Sequence, residues 1–325
     1  MDISKKISVL ALVLLIILTA LLCYDKFFAT AKVEEKMPSQ EQIEDLFKGS
    51  EGEEFVKRDT PNFQDTSETE TPKRFTIVNK QTWMAPPEGF FSALTNNYLV
   101  YRENRAIPQK LKDFLGSIHG NFVLDVIPFS LMSDFKRIFL MLFRTKESYT
   151  SYTNRPSWSV ASTDVKGQSI FILENSNFKT NFIHELSHIY FDGFFLPGRP
   201  PLWLSEGFAV YIQTQNQEEK DKKWLYTYLD KFAKGQYIAF DEFIFAEDLQ
   251  NYSKEDVSLW YAQAYSVVDF LLTSKTKDEF FQFCKNLKEG MAPGRSLYRA
   301  YGMPFNKISS LEYAWQGYLR NKKGK

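Results

Sequence analysis

Two histidines four residues apart, His184 and His188, constrain the fold of this chain more than any other feature, and they are two of its three histidines. In an α-helix, residues four apart lie on one face about one turn from each other, and Glu185 lies roughly 100° around the axis. Two imidazoles at this spacing, with a carboxylate beside the first, are typical of a zinc site whose carboxylate acts on water. Residues 179–191 are therefore predicted to form a helix that holds a zinc ion (Zn2+).

A catalytic zinc needs a third protein ligand, and Glu206 is the candidate. It is the central residue of the segment Trp-Leu-Ser-Glu-Gly-Phe-Ala at positions 203–209. Apolar residues recur at helical spacing over residues 203–213, which places Glu206 on the first turn of a second helix. Because buried carboxylates are rare unless they are paired or bind metal, we interpret Glu206 as the third ligand. The simpler alternative is a carboxylate that the helix dipole favours at a helix start.

Two further polar residues allow more than one interpretation. Asp192 lies four residues after His188 on the same helical face. It either orients a zinc-bound imidazole or is a charge at the end of the helix. His119 ends a predicted helix, and no second candidate ligand accompanies it, so we expect it on the surface and not as a ligand.

The composition is that of a globular protein and argues against nucleic-acid binding. The 325 residues include 40 Lys plus Arg and 40 Asp plus Glu, and 44% are hydrophobic. A chain of this length and apolar content buries a sizeable core, whereas a balanced charge provides no field that attracts nucleic acid. The two cysteines, Cys23 and Cys284, lie in an N-terminal apolar run and in a predicted helix, so no disulfide framework is expected.

Residues 1–31 are predicted to be a membrane anchor or a signal peptide. Lys5 and Lys6 precede an uncharged apolar run of 17 residues, 7–23. Such a run exceeds the usual signal-peptide core of about 7–15 residues and reaches the lower limit of a membrane span, about 17–25. We favour a retained anchor that leaves the rest of the chain outside the cytoplasm, in a bacterial cell envelope. The small residues of Ala29-Thr30-Ala31 offer the alternative of cleavage and secretion.

Residues 32–72 are predicted to be an acidic disordered linker. They contain 12 acidic and 5 basic residues and few large apolar side chains. Such a segment buries too little apolar surface to offset the entropy lost on ordering. The folded domain is therefore expected at residues 73–325.

This domain is predicted to be α+β. Apolar and alternating runs indicate strands at residues 97–102, 137–143, 157–162 and 169–173. Helical spacing indicates helices at 108–118 and 146–152, and further helices after the zinc site at 222–234, 241–245, 257–272 and 278–287. We expect the strand at 169–173 to be the edge of the sheet, where an extended peptide pairs with it.

The motif His184-Glu185-x-x-His188, followed by the segment around Glu206, resembles the gluzincin zinc metallopeptidases, in particular the peptidase-MA-like group related to aminopeptidase N. The resemblance covers about residues 95–321, including lead-in elements at 143–149 and 169–173. It implies a thermolysin-like zincin fold, in which the zinc lies between a small mixed-sheet subdomain and a helical subdomain. The substrate implied is a peptide or protein.

The resemblance also implies a tyrosine that donates a hydrogen bond to the oxyanion of the transition state. Residues 261–266, Tyr-Ala-Gln-Ala-Tyr-Ser, are similar to the family segment that carries it, and Tyr261 fits the pattern better than Tyr265. The Gly-x-Met-Glu-Asn element with which aminopeptidases recognise a free N-terminus is absent before His184. Glu174-Asn175 matches part of this element but lies too close to the zinc helix, so exopeptidase specificity is not expected.

These features together predict a membrane-anchored, extracytoplasmic zinc peptidase. Zinc would polarise the scissile carbonyl, and Glu185 would act as general base and then as general acid. Two alternatives come from other classes: a zinc hydrolase of a non-peptide bond, because a fold does not fix its substrate, and a non-catalytic envelope protein that retains the fold. An intact Glu185 argues against the second, because loss of function should remove it first.

Overall fold

The computed structural model describes residues 88–129, 137–249 and 252–322. Within them lie five strands: β1 (Phe90–Leu94), β2 (Tyr98–Glu103), β3 (Ile138–Phe143), β4 (Ala161–Asp164) and β5 (Ser169–Leu173). The same residues form ten helices: α1 (Gln109–Val126), α2 (Lys146–Thr153), α3 (Phe178–Phe195), α4 (Leu202–Gln215), α5 (Lys223–Ala233), α6 (Phe240–Phe243), α7 (Lys254–Ser274), α8 (Lys277–Lys288), α9 (Pro293–Tyr301) and α10 (Ile308–Lys322).

The strands form one mixed sheet in the order β1-β2-β3-β5-β4. The inner strands β2, β3 and β5 run parallel, while β1 and β4 pair antiparallel at the two edges. Parallel neighbours need a crossover between them, which α1 provides for β2 and β3. The expectation that residues 169–173 form the edge is therefore wrong, because β4 pairs with β5 from outside and covers it.

The central strand β3 anchors the core on both faces of the sheet. All six of its residues, Ile-Phe-Leu-Met-Leu-Phe, are buried, as expected for a strand covered on both sides. On one face, Phe139 and Phe143 pack with Tyr149 of α2. On the other face, Tyr98 of β2 contacts Phe182 of α3, with ring centroids 5.7 Å apart. The helix with the two histidines is thereby held against the sheet.

Helix α4 lies against α3 and also against α7. The contact with α7 is a close approach of two backbones, because a Cβ added at Gly207 would lie 2.4 Å from the carbonyl oxygen of Ala264. Helix α7 is fixed in turn by α10, whose buried Trp315 donates its Nε1–H to Ser266 Oγ at 2.9 Å. The later helices thus hold α4 and α7 at a set distance.

The predicted elements within the described residues occur, with shifted bounds. The strand expected at 157–162 is β4 at Ala161–Asp164, and the helix expected at 108–118 continues to Val126. The sequence patterns do not predict β1, α9 and α10. The expectation of a surface position for His119 is wrong, because the longer α1 packs this residue between Tyr98 and Tyr190, and it is only 9% exposed.

The described residues contain no helix that is long and apolar enough to cross a membrane. The predicted anchor at 1–31 and the predicted linker at 32–72 lie outside these residues. Both segments, and the domain boundary at residue 73, stay predictions from the sequence.

Candidate metal centre and active site

Three side chains from two helices converge on one point. His184 and His188 come from α3 and Glu206 from α4, and one ligand atom of each lies within 4.8 Å of the others. The two Nε2 atoms are 3.3 Å apart. Glu206 Oε2 is 3.4 Å from Nε2 of His184 and 3.8 Å from Nε2 of His188. The i, i+4 spacing presents both rings on one side of α3, and the short connection to α4 brings the carboxylate opposite them.

Hydrogen bonds on the far side of each imidazole fix its orientation. Nδ1 of His184 lies 3.0 Å from Gln213 Oε1, and Nδ1 of His188 lies 3.1 Å from Asp192 Oδ2. Ser205 donates to the same Asp192 carboxylate at 2.8 Å. Because an acceptor faces each Nδ1, the proton of the neutral ring belongs there, and the Nε2 lone pair points into the shared gap.

The three converging atoms fit a zinc ion. Two ligands bound to one tetrahedral zinc at about 2.0–2.1 Å lie roughly 3.3 Å apart, close to the spacings in this cluster. Glu206 Oε2 is buried and has no hydrogen-bond partner. A buried carboxylate oxygen that faces two imidazole lone pairs is unfavourable without a cation between them. His184, His188 and Glu206 are therefore the residues that would hold the metal.

The electrostatics of the cluster favour a cation. Burial opposes protonation of His188, but surrounding carboxylates, chiefly Glu206, outweigh burial and raise its pKa to about 10. Burial likewise opposes ionisation of Glu206, but the two imidazoles and the Tyr261 hydroxyl outweigh it and lower its pKa to about 2. Both shifts follow from opposite charges that lie close together away from water. Positive charge is thus stabilised at this point.

Glu185 lies beside the cluster on α3 and is only 9% exposed. Its Oε2 accepts a hydrogen bond from Thr163 Oγ1 of strand β4 at 2.7 Å. The Glu185 carboxylate is thus bonded to strand β4, and Glu185 is next in sequence to the candidate ligand His184. A carboxylate beside the candidate ligands is what a general base for water requires.

The structure separates the two candidate tyrosines. Tyr261 lies near Glu206, and burial followed by the charges of Glu206 and Glu185 raises the pKa of Tyr261 well above its usual value. Tyr265 stacks on Tyr211, with ring centroids 6.3 Å apart. Burial, followed by the charge of Asp269, raises the pKa of Tyr265. Only Tyr261 therefore shares the site with the predicted ligands.

Glu174 belongs to a buried ion pair and not to the metal cluster. Its Oε1 accepts a hydrogen bond from Nε of Arg102 at 2.6 Å, and the two side chains are 5% and 0% exposed. Arg102 is the next-to-last residue of strand β2 and Glu174 follows strand β5, so the pair connects two neighbouring strand ends. The Glu174 carboxylate is therefore paired with Arg102 and stabilises the fold.

Sequence reasoning missed three residues that contact the predicted site residues: Gln213, Ser205 and Thr163. Gln213 follows Glu206 by seven residues, so both lie on one face of α4, and this spacing was an available signal. Ser205 precedes Glu206 directly. Thr163 carries no such signal, because the sequence does not reveal which face of a short strand meets α3.

A mixed sheet with helices and a partly buried group of two histidines and one glutamate define a mixed α and β protein with a candidate metal centre. The chain belongs to the peptidase MA superfamily, whose family model matches residues 151–321, just over half of its 325 residues. The match includes the predicted ligands, Glu185 and Tyr261. This membership indicates a metallopeptidase with a peptide substrate. No curated protein matches the chain.

Proposed function

We propose that the chain is a zinc-dependent peptidase of the gluzincin type, with His184, His188 and Glu206 as metal ligands. The observation that carries this proposal is the convergence of the two Nε2 atoms and Glu206 Oε2 within 4.8 Å. Hydrogen bonds to both Nδ1 atoms hold the rings in that orientation. A zinc ion at this point supplies a Lewis acid that polarises a carbonyl and makes water more acidic.

Glu185 is the general base of the proposed reaction. Its carboxylate takes a proton from the attacking water and then passes it to the leaving amine, which keeps the proton count balanced. The low exposure of Glu185 excludes most bulk water from this transfer. Tyr261 stays a neutral hydrogen-bond donor at neutral pH because its pKa is raised. Its hydroxyl would turn from Glu206 to the oxyanion that forms on the substrate.

Endopeptidase activity is the specificity we propose. Free N-termini need a carboxylate that is available to the substrate, and the buried ion pair with Arg102 occupies Glu174. Among the described residues β4 is an edge strand, and an extended peptide would pair with its outer side. Among peptidase MA proteins, the motifs suggest a relative of the aminopeptidase N group with a thermolysin-like site but without amine recognition.

The proposed location is the outer side of a bacterial cytoplasmic membrane. The support comes from sequence alone, from the two lysines and the apolar run within residues 1–31. A retained anchor and the acidic linker at 32–72 would place the catalytic domain outside the cytoplasm at some distance from the bilayer.

The test compares the full-length chain with Glu185→Gln and Glu206→Ala. The substrate is a library of fluorescence-quenched decapeptides with blocked N-termini, and zinc is measured by elemental analysis. Glu185→Gln should keep its zinc and lose about 100- to 10,000-fold in kcat, because only the proton transfer is removed. Glu206→Ala should lose zinc, since two ligands do not close the site.

A wild-type chain purified without zinc, or a Glu185→Gln variant as active as wild type, would overturn the proposal. Zinc binding without cleavage of any peptide would instead favour a hydrolase of a non-peptide bond. Lys234→Gln, on a surface position outside the site, serves as the matched control for handling and expression.

A further inference from the structure

We propose that Thr163 is a positioning residue that holds the Glu185 carboxylate ready for proton transfer, an inference that rests on the proposed peptidase function. Thr163 Oγ1 lies 2.7 Å from Glu185 Oε2 and 3.1 Å from the backbone oxygen of Glu185. The hydroxyl has a single proton, and the shorter contact to the charged oxygen is the stronger hydrogen bond. Thr163 therefore donates to the carboxylate.

The geometry of β4 makes Thr163 a rigid support. Thr163 pairs with Ile170 of β5 in the antiparallel register, and Ile170 is fully buried. Side chains alternate along a strand, so Thr163 faces α3 while its neighbour Ser162 faces the opposite side of the sheet. A threonine side chain also has a restricted χ1 angle. The oxygen that meets Glu185 is thus fixed by the sheet and not by a flexible loop.

The hydrogen bond has a specific chemical consequence for a general base. It occupies Oε2 of Glu185 and leaves the second carboxylate oxygen to accept the proton from water. Without the bond, the glutamate side chain is free to rotate about its three χ angles and loses the prearranged orientation that proton transfer requires. Strand β4 would in this way link the proposed peptide-binding edge to the base.

The first measurement is kinetic and uses the full-length chain with the library of blocked, fluorescence-quenched decapeptides. Thr163→Val keeps the shape of the side chain but removes the donor, so kcat should fall about 10- to 100-fold, the size of a lost hydrogen bond to a charged group. KM should stay unchanged within about twofold, since substrate binding is not altered. Thr163→Ser restores the hydroxyl and should recover most of kcat.

Two controls separate positioning from a structural role. Thr227→Val makes the same change at an exposed position of helix α5, outside the site, and should leave kcat unchanged. Zinc content and Tm of Thr163→Val should match wild type. A lower zinc content or Tm that accounts for the lost rate, or a Thr163→Ser variant as slow as Thr163→Val, would overturn the inference.

The second measurement does not need activity. In crystals of the wild type and of Thr163→Ser, the Glu185 carboxylate should occupy one rotamer, and in Thr163→Val it should occupy several. One unchanged rotamer in Thr163→Val overturns the inference even if peptide cleavage supports the proposed function. Conversely, a wild type that cleaves no peptide overturns the proposed function, while the rotamer result still decides the role of Thr163.

Discussion

His119 is a histidine that the fold keeps neutral. Its Nδ1 lies 2.6 Å from the Tyr98 hydroxyl and its Nε2 lies 3.0 Å from the Tyr190 hydroxyl. A neutral imidazole suits two hydroxyl partners because one ring nitrogen donates and the other accepts. Burial lowers the pKa of His119 to about 4. The residue is thus part of the packing between β2, α1 and α3.

This shift predicts that acid weakens the fold through His119. In the unfolded chain the histidine takes up a proton near pH 6.5, whereas in the folded chain it does so only near pH 4. The contribution of His119 to the free energy of unfolding is therefore complete above about pH 6.5 and is lost as the pH falls towards 4. At pH 5 the loss should be about 2 kcal/mol relative to pH 7.5.

Urea unfolding at pH 7.5 and pH 5 measures this effect. The comparison is with His119→Gln, which keeps a donor and an acceptor but does not titrate. Because every other group titrates in both proteins, the drop in the free energy of unfolding should be about 2 kcal/mol smaller in the variant. Equal drops in the two proteins would show that His119 is not the group responsible.

The contact between helices α4 and α7 connects a proposed metal ligand to the proposed oxyanion donor. Glu206 and Gly207 are adjacent on α4, and Tyr261 lies one turn before Ala264 on α7. Since a Cβ at Gly207 would meet the backbone of Ala264, these helices pack at a distance that only glycine allows. Tyr261 is thereby held near Glu206.

Gly207→Ala should therefore damage both stability and metal binding. The added Cβ would lie 2.4 Å from the oxygen and 2.7 Å from the carbon of the Ala264 carbonyl, so the helices must separate. Overpacking of this kind costs about 1–3 kcal/mol of unfolding free energy. Thermal unfolding and zinc titration of the full-length variant measure the two effects.

Gly317 of α10 provides the matched control. A Cβ there meets nothing within 4 Å, so Gly317→Ala should raise the free energy of unfolding by about 0.5–1 kcal/mol through helix propensity. A Gly207→Ala variant that is as stable as Gly317→Ala, with unchanged zinc affinity, would contradict the proposed close contact.

Elements with strong periodicity could be predicted from the sequence, and those decided by distant contacts could not. Helix α3 and the position of Glu206 on α4 follow from spacing within one short segment. β1 is short and mostly exposed, so its five residues lack a clear alternation. The place of β5 inside the sheet depends on β4, and sheet order is not encoded in the spacing of either strand. His119 was misjudged because its tyrosine partners come from β2 and α3.

In the candidate metal site, too, residues close together in sequence could be predicted, and residues brought in by distant contacts could not. The predicted ligands His184, His188 and Glu206 lie close together in sequence, within residues 184–206, and the structure brings them together. The hydroxyl that supports Glu185 comes from a strand whose facing side only the tertiary structure defines. Local motifs thus predict the candidate metal ligands, whereas the side chains that support the site are identified only from the tertiary structure.

For the whole molecule, the N-terminal segment predicts where the protein resides. The full-length chain should sediment with membranes, because an uncharged run of 17 residues reaches the length of a span. A chain that lacks residues 2–31 should stay in the supernatant, yet keep its zinc and its peptide cleavage, since the predicted site residues all follow residue 160. Membrane fractionation with activity and metal assays measures these outcomes.

Sequencing of the N-terminus of the mature protein distinguishes a retained anchor from a removed signal peptide. A mature chain that begins after Ala31 would identify secretion in place of anchoring. A truncated chain that still sediments with membranes would contradict the prediction that residues 1–31 are the anchor.

The concentration of the three metal donors in one helix pair has a consequence for how such proteins diversify. The proposed donors lie within α3 and α4, whereas the groups proposed to face the substrate come from β4 and α7. In the proposed peptidase, changes in the strand or in the later helix would therefore alter which bond is cut, and how fast, without removing the proposed ligands.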